Sequence, residues 1–393
     1  MIEDVKMKYE LMDMSTDGAV IKVIGVGGGG GNAVDHMIES HIDSVQFVCA
    51  NTDAQALRRL NVETKVQLGI ELTKGLGAGT KPEVGRQAAE ENREHIKEVI
   101  DGADMIFLTA GMGGGTGTGA ISVIAEVAKE LGVLTVAVVT KPFNFEGKKK
   151  TLVAEEGIRE LEKYVDSLII IPNQKLLPVL GGNLSVSNAF KAANDVLLDA
   201  VQGITELITH PGLINVDFAD VETVMTNMGA AIMGSGSASG DNRAREAAEK
   251  AIACPLLEDI NLQGAKGILV NVTAADMDLT EFDEIGSIMH AFASEDADMK
   301  IGMATNAEMG DEIKVTVVAT GMGDNKVAAV NSPVKLVVQK AATGDVNYDV
   351  LDKPTVIRQS KQETRETRFG AQPKNDVDLD YLDVPAFLRR QAD

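Results

Sequence analysis

The chain has 393 residues, of which 44% are hydrophobic and only 4% aromatic, so it is long enough for two domains with aliphatic cores. Its two cysteines are too few for a disulfide framework. A net charge of -22 repels nucleic acid and anionic lipid, so the composition argues against direct binding to either.

The N-terminal segment, residues 1–18, mixes acidic and apolar side chains without the basic start and apolar core of a signal peptide. No run in the sequence approaches the roughly 18 consecutive apolar residues that a membrane-spanning helix needs. We therefore expect this segment to be flexible, and the protein to be cytoplasmic with no direct membrane insertion.

Residues 19–186 alternate between strand-like and helix-like patterns. Such alternation predicts parallel strands joined by right-handed crossovers, which is a doubly wound α/β domain whose ligands bind at the carboxyl ends of the strands. The predicted strands are 20–26, 45–50, 105–109, 134–140 and 167–171. The clearest predicted helices between them are 83–100 and 121–131.

Two glycine-rich turns each follow a predicted strand and precede a predicted helix. They run from Gly27 to Asn32 and from Gly113 to Gly119. Glycine lets the backbone approach an anion closely, and the N–H groups and dipole of the following helix attract negative charge. Two such turns in one parallel sheet predict a site that holds one polyphosphate from two sides, and therefore a nucleotide-binding protein.

The first turn alone leaves the class of nucleotide open. Residues 25–30 satisfy the dinucleotide fingerprint, and Asp53 follows the second strand at a suitable distance for a ribose contact, so a Rossmann-type nucleotide-dependent oxidoreductase is one alternative. The second turn adds the hydroxyls of Thr116 and Thr118 and lacks the lysine of a P-loop. It favours phosphate binding by a different architecture.

Apolar residues recur with helical period from Ser187 to Thr209, which predicts a central helix of roughly 34 Å that connects two domains. Ser187 is the expected N-cap, and His210-Pro211-Gly212 is the expected stop. Residues 210–322 have the pattern of a smaller α+β domain with a mixed sheet and helices on one face. The helices predicted there are 219–228, 242–253 and 281–293, and the strands are 267–274 and 313–319.

Apolar periodicity fades after the second domain, and residues 323–379 are predicted to form a disordered linker. Apolar side chains return in residues 380–393, which predicts a peptide that folds on a partner protein. A terminus that packs on its own domain is the alternative. The candidate partner-binding residues are Asp380, Tyr381, Leu382, Asp383, Val384, Pro385, Phe387, Leu388 and Arg389.

Five internal stretches and the C-terminal peptide carry a resemblance to a known family. The second glycine turn, within Ala110 to Gly119, resembles the signature of the tubulin/FtsZ family of GTPases, and the other stretches match its FtsZ branch. These are residues 51–53, 75–79, 140–147 and 215–220. The resemblance implies a cytoskeletal GTPase that polymerises head to tail into filaments of the bacterial division ring at mid-cell. It also implies that the C-terminal peptide binds membrane-tethering division adaptors and assembly regulators.

The same resemblance implies that GTP or GDP is bound together with a magnesium ion. Residues 28–32 would contact the phosphates and the base. Residues 77–79 would line the γ-phosphate, and residues 114–119 would cradle the α- and β-phosphates.

Side chains complete the implied site. Glu146 and Asn173 would bind the ribose, and Lys150 would lie near the phosphates or the sugar. Phe190 would stack on guanine, and Asp195 would accept from the guanine N1 and N2 donors, which selects guanine without an Asn-Lys-x-Asp motif. The complete set of candidate GTP-binding residues is Gly28, Gly29, Gly30, Gly31, Asn32, Asn51, Gly77, Ala78, Gly79, Gly111, Met112, Gly114, Gly115, Thr116, Gly117, Thr118, Gly119, Thr140, Glu146, Lys150, Asn173, Phe190 and Asp195.

The candidate catalytic residues are Asp217 and Asp220, assisted by Asn215. The two aspartates are spaced i, i+3 at a predicted helix start, which places both carboxylates on one face of its first turn. Acidic residues there are also common helix caps, so a non-catalytic, nucleotide-gated scaffold is a second alternative. Because the central helix separates them from Phe190 by some 30 Å, they are expected to act on GTP held by a neighbouring subunit. The five histidines show no metal-ligand spacing, and no protein metal site is expected.

Overall fold

A computed structural model of the chain describes residues 18–42, 44–180, 185–209, 214, 216–257, 265–294 and 297–322. Ten strands in this part of the chain form one sheet in the order β3-β2-β1-β4-β5-β6-β7-β10-β8-β9. The strands are β1 (Ile21–Val26), β2 (Val45–Asn51), β3 (Thr64–Gln67), β4 (Met105–Gly111), β5 (Leu134–Lys141), β6 (Ser167–Pro172), β7 (Gly229–Ser239), β8 (Gly267–Ala274), β9 (Asp298–Thr305) and β10 (Glu312–Thr320).

Twelve described helices cover the sheet, and none of them combines the length and apolarity that crossing a bilayer requires. They are α1 (Gly27–Glu39), α2 (Ala54–Arg59), α3 (Ile70–Thr73), α4 (Pro82–Glu91), α5 (Arg93–Ile100), α6 (Thr116–Leu131), α7 (Lys148–Leu161), α8 (Leu177–Leu180), α9 (Val186–Thr209), α10 (Phe218–Met225), α11 (Arg243–Ile252) and α12 (Leu279–Phe292).

The first half of the sheet is parallel from β3 to β7, as the alternating sequence pattern predicts. All five predicted strands of this half are present. The sequence analysis missed β3, which is short and contributes a single fully buried side chain, Val66, so it has no apolar run to detect. The parallel arrangement brings the carboxyl ends of β1, β2, β4, β5 and β6 to one edge.

The second half of the sheet is mixed, as predicted, because β10 is antiparallel to β7 and β8 while β8 is parallel to β9. Strand β7 was missed because it reads as a glycine- and serine-rich loop. The structure explains that composition through packing. A Cβ atom at Gly234 would collide with the Ala251 carbonyl oxygen, and one at Gly236 with the Ala251 backbone nitrogen, so glycine lets α11 lie directly on the strand.

The central helix α9 has 24 residues and spans about 36 Å. The predicted N-cap is wrong: the helix begins at Val186, and the Ser185 hydroxyl, rather than that of Ser187, accepts from the Asn188 backbone N–H at 3.2 Å. The expected stop at residues 210–212 lies outside the described residues. One face of α9 is buried along its whole length and packs on both halves of the sheet.

The prediction of helices on one face of the second half is also wrong. Helices α11 and α12 cover one face, through Ala247, Ala248, Ile285 and Met289. Helices α9 and α10 cover the other face, where Val224 of α10 joins the same apolar cluster as the buried residues of the central helix α9. The second half is thus a three-layer arrangement in which the central helix serves as one layer.

The predicted helix 83–100 is divided into α4 and α5 at Asn92. The Asn92 side-chain oxygen accepts from the Gly69 backbone N–H at 2.7 Å, so the break anchors the loop that precedes α3. Residues 323–379 and 380–393, the predicted linker and tail peptide, lie outside the described residues. The proposed domain boundaries remain predictions.

The half-buried guanidinium of Arg243 stabilises the second half of the sheet. It donates to both oxygens of Glu281, at 2.7 and 2.9 Å, while the Asp278 backbone N–H donates to the same carboxylate. We expect Arg243→Ala to lower the free energy of unfolding by about 1–3 kcal/mol, since it leaves a half-buried carboxylate without its cation. Urea unfolding of the GDP-bound protein measures this. Arg245→Ala, which breaks an exposed pair with Glu284, is the control and should change the stability little.

The same bond makes this contribution depend on pH. Arg243 holds the pKa of the Glu281 carboxyl below its ordinary value of 4.5. A lowered folded-state pKa stabilises the protein above the unfolded pKa, and the stabilisation is lost as the pH falls through the folded pKa. The difference between the wild type and Arg243→Ala should therefore shrink below about pH 4.5, and a difference that grows with acidification would contradict the assignment.

Candidate nucleotide site

The two glycine turns meet at the carboxyl ends of β1 and β4, which are paired in parallel. A Cβ atom at Gly27, whose φ is +73°, would lie 2.8 Å from the Gly117 backbone nitrogen. A Cβ atom at Gly29 would lie 3.0 Å from the Gly111 nitrogen. The backbones of the two turns are thus in direct contact, with no side chains between them. Together the two turns form one concave backbone surface, called the glycine cradle below.

The second turn leads into α6, whose N-terminus carries no side-chain cap and no acidic residue in its first turn. Its backbone N–H groups and the positive end of its dipole are therefore available to an anion. The turn is held from behind, because the Gly113 N–H donates to Thr118 Oγ1 at 2.8 Å and the Gly115 N–H donates to the Gly79 carbonyl at 2.9 Å. The second bond joins the turn to the loop 75–79.

These loops surround a cavity of about 370 Å³. Most of the predicted GTP-binding residues line it: Gly28, Gly29, Asn32, Gly79, Gly111, Met112, Gly114, Gly115, Thr116, Gly117, Thr140, Glu146, Lys150, Asn173 and Phe190. Four lining residues were not predicted: Pro142, and Ala193, Asn194 and Leu197 of α9. The three α9 residues lie at i+3, i+4 and i+7 from Phe190, and this helical-face spacing could have indicated them.

The remaining predicted residues do not line the cavity: Gly30, Gly31, Asn51, Gly77, Ala78, Thr118, Gly119 and Asp195. Several of the glycines serve packing instead. A Cβ atom at Gly30 would fall on the Thr109 carbonyl oxygen, and one at Gly119 on the Pro82 carbonyl oxygen. Asn51 accepts from the Asp53 backbone N–H at 3.1 Å, which shapes the turn after β2.

Polar side chains at the ends of β5 and β6 face the cavity. Glu146 accepts from the Phe143 N–H at 2.9 Å and from the Lys150 ammonium at 3.0 Å, so it is fixed in place. Asn173 is 3% exposed, and its side-chain oxygen has no hydrogen-bond partner in the described part of the chain. Because an unpaired buried acceptor is costly, this oxygen indicates a ligand that donates to it, such as a ribose hydroxyl.

The start of α9 supplies an aromatic wall. The Phe190 ring is 41% exposed and packs edge-on against the buried Phe143 ring, with 5.3 Å between the centroids. This contact orients the ring and leaves it accessible from the cavity. Asp195, the predicted acceptor for guanine, instead pairs with His36 Nε2 at 2.7 Å. The structure therefore joins α1 and α9 through the carboxylate that the sequence analysis assigned to the base.

Asp53 has a structural role in the described chain. Its carboxylate accepts from the Gln55 and Ala56 backbone N–H groups at 2.8 and 3.1 Å, and so caps α2. Both bonds end on Asp53 Oδ1. The cap gives this carboxylate a role that needs no ribose, which weakens the oxidoreductase alternative that rested on Asp53 and the dinucleotide fingerprint.

The candidate catalytic aspartates lie at the other end of the central helix. Asp217 caps α10 by accepting from the Asp220 N–H at 2.8 Å, and neither side chain lines the cavity. Lys300 donates to Asp220 at 2.9 Å and lowers the pKa of the Asp220 carboxyl, so this group is ionised at neutral pH. Asn215 lies outside the described residues. Phe190 faces the cavity and Leu207 packs with Val216 beside the acidic turn, and these two α9 residues lie about 26 Å apart along the helix.

Phe190→Ala is expected to weaken GTP and GDP binding by about 5- to 150-fold, which corresponds to the roughly 1–3 kcal/mol of one base–aromatic stacking contact. Equilibrium titration with a fluorescent guanine nucleotide measures the affinity. The control is Phe292→Ala, which removes a similarly exposed ring of α12 and should leave the affinity unchanged. Equal affinities for Phe190→Ala and the wild type would contradict the stacking role.

Comparisons with known proteins agree with this geometry. The chain matches the GTPase domain of the tubulin/FtsZ family over residues 20–181 and the C-terminal domain of the FtsZ family over residues 229–323. It is 60% identical to the cell division protein FtsZ of Coxiella burnetii over 97% of this chain and 99% of that protein. It is 58% identical to FtsZ of Pseudomonas aeruginosa over 98% of this chain and 100% of that protein. An empty FtsZ dimer from M. jannaschii is similar in structure, with a TM-score of 0.75 and 42% identity over 78% of this chain and 89% of that one.

Proposed function

We propose that two copies of the chain share each active site. The chain belongs to the tubulin/FtsZ family and, within it, to the FtsZ cell division proteins. It is accordingly a GTPase of the bacterial cell-division cytoskeleton that binds GTP or GDP with magnesium. The observation that carries the proposal is that the nucleotide cavity and the acidic turn lie toward opposite ends of α9.

The glycine cradle holds the phosphates. Backbone N–H groups of residues 28–29 and 114–117 surround them, and the uncapped N-terminus of α6 favours their negative charge. The Lys150 ammonium adds a cation at the rim, while Glu146 and the unpaired Asn173 oxygen accept from the ribose hydroxyls. The hydrogen bonds of Glu146 to the Phe143 N–H and to Lys150 fix these two side chains before the nucleotide arrives, which limits the ordering cost of binding.

The start of α9 selects the base. Phe190 stacks on the guanine ring, and Asn194, which the structure adds to the cavity wall, presents an amide to the edge of the base. Asp195 is the proposed acceptor for the N1 and N2 donors, and its pairing with His36 leaves further lone pairs of the carboxylate for that role.

The magnesium ion neutralises charge that develops on the phosphates during transfer. The described residues contain no cluster of three or more His, Cys, Asp or Glu side chains that would hold a metal by themselves. Magnesium would therefore be held mainly by phosphate oxygens and water, as is usual in nucleotide sites, and the Thr116 hydroxyl, which belongs to the cavity lining, would be its protein ligand.

The acidic turn of a second copy supplies the other half of the chemistry. The ionised Asp220 carboxylate, with Asp217 beside it and Asn215 assisting, accepts hydrogen bonds from a water molecule and orients it toward the γ-phosphorus. The water oxygen forms a bond to phosphorus, the bond between the γ-phosphorus and the β–γ bridging oxygen breaks, and GDP leaves. The proton of the water leaves with inorganic phosphate.

Exposed apolar side chains support a head-to-tail contact between copies. Leu76 is 82% exposed and Phe145 60% exposed, both beside the nucleotide cavity, and Ile214 is 40% exposed next to the acidic turn. Burial of such groups favours association. A contact between two different faces generates an open filament when the rotation does not close, and the M. jannaschii relative was solved as a dimer.

Light scattering recorded together with phosphate release tests the function. GTP should produce both signals, whereas GDP and ATP should produce neither, and specific activity should rise above a critical protein concentration because the site forms only on assembly. A scaffold without catalysis would scatter without releasing phosphate. Full activity in dilute monomer would contradict the shared site.

We also propose that residues 380–393 bind membrane-tethering adaptors and assembly regulators, and that this places the filaments at mid-cell. The support is the return of apolar residues near the end of the chain. Deleting residues 380–393 should leave GTP-dependent scattering and phosphate release unchanged while abolishing recruitment to mid-cell in cells. Loss of assembly in the truncated protein would contradict a role restricted to docking.

A further inference from the structure

A second cavity, of about 280 Å³, lies between α4, α6 and α7. Thr118 and Gly119 of α6 line it, whereas Thr116 and Gly117 of the same helical turn line the nucleotide cavity. The first turn of α6 is therefore the partition between the two cavities. The mechanism proposed above makes no use of the second one.

The charged groups around this second cavity are mostly anionic. Glu83, Glu156 and Glu160 line it, against the single guanidinium of Arg86, which lies 3.7 Å from Glu160. Lys163 donates to Glu160 from outside the lining, so the carboxylates of Glu83 and Glu156 are the two without an ion pair in the described part of the chain. Both lie on helices that also present an apolar surface to the cavity.

A buried hydroxyl in the wall points independently to a ligand. Ser122 lines the cavity and is only 4% exposed, yet its Oγ has no hydrogen-bond partner within the described residues. A buried hydroxyl without a partner is unfavourable unless something binds it. The lining thus combines two carboxylates, one unpaired hydroxyl and the apolar side chains of Pro82 and Val153. This combination matches a compact apolar molecule that carries a positive charge.

The walls of this cavity are tightly coupled to the phosphate-binding backbone. A Cβ atom at Gly157 of α7 would fall on the Thr118 methyl group, and one at Gly119 would fall on the Pro82 carbonyl of α4. Thr118 Oγ1 in turn accepts from the Gly113 N–H at 2.8 Å. Because the three helices touch through glycine backbone, a shift of α4 or α7 is transmitted to the second glycine turn.

We propose that this cavity is an allosteric site for a small organic cation, an ammonium group on a compact apolar body, whose binding changes nucleotide affinity. The ammonium pairs with Glu83 and Glu156, the apolar body packs on Pro82 and Val153, and the Ser122 hydroxyl gains a partner. The proposal rests on the proposed function only in that the glycine turns hold the nucleotide. It does not require active sites shared between subunits.

Benzylamine is a suitable probe, and the full chain with GDP is the sample. Saturation-transfer NMR should detect binding with a Kd on the order of 1 mM, in keeping with a ligand of this size. Benzylamine near saturation should change the affinity for a fluorescent GDP analogue by about fivefold, the lower range of allosteric couplings. Benzyl alcohol, which has the same shape without the charge, should bind about tenfold more weakly.

Variants assign the binding to this cavity. Glu83→Gln with Glu156→Gln should weaken benzylamine binding by about tenfold, and Ser122→Ala should weaken it less. Glu155→Gln is the matched control on α7. Glu155 pairs with Lys141 and does not line the cavity, so this substitution should leave benzylamine binding unchanged. The proposal is overturned if benzylamine does not bind at 10 mM, if benzyl alcohol binds equally well, or if the double variant binds like the wild type. GDP-analogue binding without benzylamine is read separately, so failure of the nucleotide site itself would be recognised.

Discussion

Asp220→Asn should lower the GTPase rate of the assembled protein by about 10²–10⁴-fold, while GTP affinity stays unchanged. The substitution keeps the shape of the side chain but removes the charge that orients the attacking water. Affinity should be unaffected because Asp220 does not line the nucleotide cavity of its own subunit, and Phe190 at that cavity lies about 26 Å along α9 from Leu207, which packs near the acidic turn. Steady-state phosphate release above the critical concentration and nucleotide titration give the two numbers.

The control variant is Lys300→Met, which removes the partner of Asp220 and keeps the carboxylate. If Asp220 acted only through this ion pair, both variants would lose activity equally. The proposed role predicts that Lys300→Met keeps most of the activity. The exposure of the pair means that its stabilising contribution is small, so a common folding defect is not expected.

Mixing two inactive variants tests the sharing directly. Gly114→Val should stay folded, because no atom lies within 4 Å of a Cβ atom added there, but its side chain enters the nucleotide cavity, so we expect it not to bind GTP. It still carries Asp220. A mixture with Asp220→Asn should therefore regain activity, since the second variant supplies the nucleotide and the first the carboxylate. A mixture that stays inactive at every ratio would mean that the site lies within one subunit.

Gly119→Ala and Gly114→Ala should fail in different ways, although both change the same turn. A Cβ atom at Gly119 would fall on the Pro82 carbonyl oxygen, which is backbone and has no flexible end to move. We expect a loss of about 1–3 kcal/mol or more in the free energy of unfolding, because α4 and α6 must separate. At Gly114 no atom lies within 4 Å of the added methyl group, so the fold should keep its stability.

The loss for Gly114→Ala should appear in binding instead. Gly114 lines the nucleotide cavity, and a methyl group there occupies space that the phosphates need. Thermal unfolding without nucleotide and titration with a GDP analogue separate the two effects. If Gly114→Ala lost stability as much as Gly119→Ala, or bound GDP normally, the placement of the phosphates in the cradle would be wrong.

The parallel half of the fold was predictable because its strands are continuous apolar runs and its glycine turns interrupt them at regular places. The mixed half was harder, since β7 contains the glycines on which α11 packs and therefore looks like a loop. The sequence shows that a glycine has no side chain. It does not show which neighbour, distant in sequence, occupies the space where a side chain would lie. For the same reason the sequence could not show that Gly119 packs on Pro82, while its phosphate contact remains a prediction.

The candidate site was predicted unevenly for a related reason. Motif residues such as Gly114 and Thr116 lie where the pattern placed them, at the cavity. Asn194 was not predicted because it belongs to no motif. Its position one helical turn after Phe190 was the only sequence signal that placed it on the same face. Asp195 shows the opposite case: its pairing with His36 depends on how α1 packs on α9, and no local pattern reports that contact.

The distance that α9 imposes between cradle and acidic turn has a consequence for filament ends. A filament of n subunits joined in this way contains n − 1 complete catalytic centres. At one terminus a nucleotide faces solvent with no carboxylates above it, so it exchanges freely and is not cleaved. At the other terminus the carboxylates of the last subunit face solvent, and the nucleotide of that subunit is covered by the carboxylates of its neighbour. The two ends of the polymer are thus chemically different, and the rates of subunit addition and loss can differ between them.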